Sequence, residues 1–131
     1  MILKNGSIKF NLNFLKTDSN IGLREGDLWC RIQILLEGSD FQYKFSENAL
    51  SKSELDDFIQ ELVEFSSSKK VFSRRMTFIK NYLIVYFQSL KSGRKVLKIK
   101  FINVDNNHNN IVVKFEDDEI KELSSELMKY N

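Results

Sequence analysis

A chain of 131 residues, 42% hydrophobic and 29% charged, has the size and composition to bury a single core, which excludes disorder as its main state. One cysteine, Cys30, rules out a disulfide within the chain and a paired-cysteine metal site, and one histidine, His108, leaves the usual four-ligand zinc centre without ligands. The net charge of +2 is too small to announce a nucleic-acid partner, and neither a signal-peptide core nor the roughly 18 apolar residues of a membrane span occur, so one cytoplasmic domain over residues 1–131 is expected.

The first strand is marked by Ile8, Phe10, Leu12 and Phe14 alternating with Lys9, Asn11 and Asn13. In the stretch GDLWCRIQILLEGSDFQYKFS, Leu28, Cys30, Ile32, Ile34 and Leu36 take one side of a strand. Trp29, Arg31, Gln33 and Glu37 take the other, with Leu35 as an exception. Gly38-Ser39-Asp40 turns the chain, and Phe41, Tyr43 and Phe45 then alternate with Gln42, Lys44 and Ser46 to complete a hairpin.

The period then changes to that of a helix. Leu55, Phe58, Ile59, Leu62, Val63 and Phe65 recur at helical spacing, and Ser51 and Glu54 stand where a capping box places them. Leu50 and Leu55 fit a hydrophobic staple, and the helix is expected from about Lys52 to Ser66, ending in the polar loop 66–70. Strand character returns from Met76 to Leu90, where Tyr82 to Phe87 is apolar on both faces, as in a central or covered strand. After a turn at Lys91 to Arg94, Leu97, Ile99 and Phe101 alternate with Lys98 and Lys100. A polar turn from Asp105 to Asn110 leads to a last strand with Ile111, Val113 and Phe115 against Val112 and Lys114. A second helix is expected from about Asp118 to Tyr130, with Asp117, Asp118 and Glu119 at its positive end. The expected fold is α+β: a mainly antiparallel six-stranded sheet in βββ-α-βββ-α order, with both helices packed on one face.

Cys30 shares its side with Ile32 and Ile34 and reads as a small buried hydrophobe, because a reactive thiol needs exposure and cationic neighbours on its own face. His108 stands in an asparagine-rich turn with no sequence reason to meet Cys30. Most acids fall on the two helices, where solvated faces explain them, and consecutive acids such as Asp117-Asp118-Glu119 do not converge on an ion as alternating calcium ligands do. The five glycines are scattered and form no phosphate-cradling loop. No catalytic, metal or cofactor site is assigned.

Lys9, Arg31, Lys44, Lys98, Lys100 and Lys114 take outward strand positions, with Trp29 among them. Such a face has two readings. It is a wet sheet surface whose lysines discourage edge pairing, or it is a contact surface for a phosphate backbone or an acidic partner. The sheet signature of RNA-binding domains is absent.

The Asp27-Leu28-Trp29 strand opening, the Gly38 to Phe41 turn, the helix Glu54-Leu55-Asp56-Asp57-Phe58 to Leu62, and the return to a terminal helix at Leu123 to Leu127 resemble the WapI-type immunity proteins. The resemblance implies a small cytosolic bacterial protein that binds a cognate toxin domain and blocks it, with no reaction and no cofactor. In that role Trp29, Arg31, Lys44, Lys98 and Lys100 are the expected partner contacts, as an aromatic anchor with surrounding cations. The alternative is a nucleic-acid or anionic-ligand binding module that uses the same basic face. An enzyme with an unusual site is a third reading.

Overall fold

The computed structural model of the chain describes residues 1–15, 23, 26–103 and 110–130. Among them run β1 (Ile2–Leu3), β2 (Gly6–Phe14), β3 (Trp29–Glu37), β4 (Gln42–Ser51), α1 (Lys52–Ser67), β5 (Ser73–Thr77), β6 (Leu83–Ser89), β7 (Lys95–Phe101), β8 (Ile111–Glu116) and α2 (Asp117–Met128). The α+β class and the antiparallel pairing match the sequence reading, but the single six-stranded sheet does not. The strands form two four-stranded meanders, β1-β2-β3-β4 and β5-β6-β7-β8, each followed by a helix.

The physical reason lies in what alternation encodes. Period two separates the faces of a strand and carries no information about its neighbour. The two strands the pattern missed carry little of it: β1 has two residues, and β5 reads SRRMT and is largely exposed. The run from Met76 to Leu90 is therefore a hairpin, with Met76 opposite Val85 and Thr77 opposite Ile84. The Asp105 to Asn110 turn, except for Asn110, and His108 lie outside the described residues.

Buried side chains of both sheets and both helices form one hydrophobic cluster. Phe45 of β4 meets Phe101 of β7, ring centroids 5.3 Å apart, so the inner faces of the two sheets touch directly. Helix α1 packs on β3 and β4, yet Phe58 and Phe65 also set their rings against Phe87 of β6 at 6.5 and 5.2 Å. Helix α2 packs on β7, β8 and α1, and the Tyr130 hydroxyl beyond its end donates to the Phe10 carbonyl at 3.3 Å. The helices thus sit among two sheets rather than on one face of a single sheet.

The start of α1 forms as its residues dictate. Ser51 Oγ accepts from Glu54 N at 3.2 Å while Glu54 Oε1 accepts from Ser51 N at 3.0 Å, closing the capping box. Leu50 and Leu55 are both buried, as a staple requires. Asp27 adds a second clamp: its carboxylate accepts from the Ser53 hydroxyl at 2.6 Å, from Leu28 N at 2.9 Å and from Ser53 N at 3.3 Å. Partial burial pushes that carboxyl up, but the hydrogen bonds from Ser53 and Leu28 outweigh it and hold Asp27 below its ordinary 3.8. Among the described residues no helix is long and apolar enough to cross a membrane.

Candidate functional site

Antiparallel register assembles the outer face of the second sheet row by row. Arg75 stands opposite Tyr86, Tyr86 opposite Lys98, and Lys98 opposite Lys114, which makes one row across all four strands. The next row is Thr77, Ile84, Lys100 and Val112. Their chain neighbours Val85, Phe87, Leu97, Ile99, Val113 and Phe115 are buried, which fixes these rows on the opposite, solvent side. Ile84 and Tyr86 are half-buried there, flanked in register by Thr77 and Lys100 and by Arg75 and Lys98.

Three cations of this face, Arg75, Lys98 and Lys100, make no ion pair or hydrogen bond among the described residues. Lys114 alone is paired, to Glu116 Oε1 at 3.0 Å. That hydrogen bond and charge, with Arg94 and Lys4 nearby, hold the Glu116 carboxyl below its ordinary value. Like charges directly opposite one another destabilise a strand pair, and at Lys98 facing Lys114 the Glu116 carboxylate on Lys114 offsets that contact.

The outer face of the first sheet differs in kind. Arg31 Nε and Gln33 Nε2 donate to Ser46 Oγ at 3.1 and 3.3 Å, and Asn11 Nδ2 donates to Gln33 Oε1 at 3.1 Å. A hydrogen-bonded ladder, with the Arg31 guanidinium as its one charge, fills the middle of this face. Lys9 and Lys44 stand in the row of Leu35. The basic positions expected on one surface are thus divided: Lys9, Arg31 and Lys44 on the first sheet, Lys98, Lys100 and Lys114 on the second.

Trp29 is corrected. Alternation places it on the side of Arg31, but it is only 5% exposed, and Lys80 from the β5–β6 link holds its ammonium 4.0 Å from the ring centroid. A cover supplied from a residue 51 positions along the chain leaves no trace in the local period. Cys30 is fully buried beside it, and burial pushes its thiol up from 9.0 to about 11. The strand register shifts at Cys30/Arg31, where Cys30 pairs with Leu50 and Arg31 with Asn48. Arg75, Tyr86, Ile84 and Val112 were not singled out from sequence, although the apolar run of β6 signalled that its second face needed a cover.

The helix side carries the acids, and many of them are already engaged. Glu54 Oε2 accepts from Ile79 N at 2.8 Å, Glu61 pairs with Arg74, and Asp117 Oδ1 accepts from Lys95 N at 3.1 Å. Glu119 accepts from Lys4 N at 3.1 Å and from Glu116 N at 3.0 Å. No group of three His, Cys, Asp or Glu is placed to hold a metal ion among the described residues.

Beside β8, the free edge of the second sheet, a groove of about 320 Å³ runs to the β1–β2 turn of the first. Leu3, Leu36, Phe41, Ile111, Val112 and Val113 give it apolar walls, and Phe41 and Val112 are 49% and 51% exposed. Two glycines shape its margin. A Cβ on Gly6 would lie 2.3 Å from the Glu37 carbonyl oxygen, and one on Gly38 would lie 2.2 Å from the Phe41 ring. The Gly38 to Phe41 turn is therefore a packed unit, closed by Gly38 N donating to the Phe41 carbonyl at 2.9 Å.

Comparison with known proteins adds one finding. No curated protein and no solved structure matches the chain. The model of the immunity protein WapI-like family, in contrast, matches residues 1–130, nearly the whole length. A match of that extent, on a structure that keeps the strand opening, the turn and both helices of the resemblance, makes this chain a member of the WapI-like immunity protein family.

Proposed function

We propose that the chain is a cytosolic bacterial immunity protein that binds a cognate toxin domain and neutralises it through a protein–protein interface, without catalysis. The family match over residues 1–130 carries this reading. One surface feature supports it: the molecule presents unpaired cations around a half-buried tyrosine on one face. Lys98 and Lys100 remain proposed contacts, Arg31 and Lys44 stand apart from them on the outer face of the other sheet, and Trp29 supports the fold beneath Lys80 instead of anchoring a partner.

Co-expression tests the function. Cells producing the toxin domain encoded beside this chain should grow when the chain is co-produced, and the two proteins should purify together at 1:1 stoichiometry. Arrested growth despite abundant soluble chain contradicts the reading. The nucleic-acid alternative draws on the same face, since cations around Tyr86 are compatible with a phosphate backbone. A mobility shift at low salt that vanishes steeply as salt rises would favour that alternative.

A further inference from the structure

We propose that the toxin domain docks on the outer face of the second sheet by an acidic surface of its own. Its carboxylates would pair with Arg75, Lys98 and Lys100 around Tyr86, and the contact would continue over β8 into the groove beside β1. This rests on the immunity reading and identifies which of the two basic regions serves it.

Charge complementarity selects the face. Arg75, Lys98 and Lys100 gather around Tyr86 without a partner among the described residues, whereas on the first sheet Arg31 donates to Ser46 and the unpaired Lys9 and Lys44 stand apart from it, across the row of Asn11, Gln33 and Ser46. On the helix side Glu54, Glu61, Asp117 and Glu119 are engaged within the fold, while Asp56, Asp57, Glu64, Asp118 and Glu122 are exposed. A basic face also repels a cationic substrate cleft, so docking occurs away from any toxin cleft that binds phosphates.

The placement of Lys98 opposite Lys114 gives a second argument. Lys114 is paired with Glu116, so Lys98 is the cation of that strand pair left for a partner's carboxylate. Tyr86, Ile84 and Val112 supply the apolar centre that an interface needs between its polar margins.

Area extends the contact to the groove. Four strands about 4.8 Å apart, with roughly six residues at about 3.3 Å each, offer about 400 Å² in projection. A stable interface takes about 800 Å² from each partner. The outer face is continuous through Val112 and Lys114 with the groove, whose apolar walls supply the remainder.

The test titrates the purified toxin domain encoded beside this chain into the parent protein and three variants. The double variant Arg75→Glu/Lys98→Glu should bind at least about 100-fold more weakly, with a thermal midpoint close to the parent's, because neither side chain makes an ion pair or hydrogen bond within the described residues. Val112→Glu should weaken binding about tenfold. Arg31→Glu/Lys44→Glu should stay within about threefold of the parent. Parent-like binding by the Arg75→Glu/Lys98→Glu protein, or loss confined to the Arg31→Glu/Lys44→Glu protein, overturns the surface assignment while leaving the immunity reading in place. A parent chain that binds no toxin but retains a 20-nucleotide single-stranded DNA at low salt overturns both.

Discussion

Three adjacent residues of β3 have three different roles, and each makes a distinct expectation. Trp29 is covered by Lys80, so Trp29→Ala should lower the unfolding free energy by about 3–5 kcal/mol in a denaturant titration, as loss of a large buried ring does. An unchanged midpoint would mean that the ring is solvent-facing. Cys30, with its thiol raised from 9.0 to about 11, should resist alkylation at pH 8 in the native state and react fully in denaturant. The unfolded chain ionises this thiol first, so its contribution to stability is intact below about pH 9.0 and is lost as pH rises through about 11. Arg31 keeps the outward position that alternation gives it, but as a donor to Ser46. Alternation assigned Cys30 and Arg31 correctly and misjudged Trp29, because the covering lysine comes from the distant β5–β6 link.

At the scale of elements, most boundaries were legible because the deciding chemistry is local. Helix α1 begins at Lys52 as expected, since Ser51, Glu54 and Leu50 carry the cap and the staple within five residues. The reinforcing clamp from Asp27 was not legible, being 26 residues from Ser53. Asp27→Ala should therefore destabilise the protein by about 1 kcal/mol beyond the effect of Ser51→Ala, itself about 1 kcal/mol, in the same denaturant series. The carboxyl of Asp27 is depressed below 3.8, so its contribution is present above that pH and disappears as pH falls through its lowered value. In the Asp27→Ala protein that segment of the acid profile should be flat. Strand β5 escaped detection because SRRMT has neither alternation nor β-branched enrichment, and only its pairing with β6 makes it a strand.

For the whole molecule, two meanders and two helices could be read as events in order, but not as two sheets. Sheet membership is decided by which apolar faces meet, here Phe45 against Phe101 and α1 rings against Phe87, and these are contacts between distant segments. The same limit governed the candidate surface: the lysines were visible one by one, and only register brought Arg75, Tyr86, Lys98 and Lys114 into a single row. The unpaired charges of Arg75 and Lys98 are what the proposed acidic toxin surface would meet. The central claim is that this chain blocks a toxin by occupying it. The most direct test is a titration of the purified chain into an activity assay of the toxin domain encoded beside it. Activity should fall linearly to its floor at one chain per toxin; full activity at a tenfold molar excess of folded chain would contradict the account.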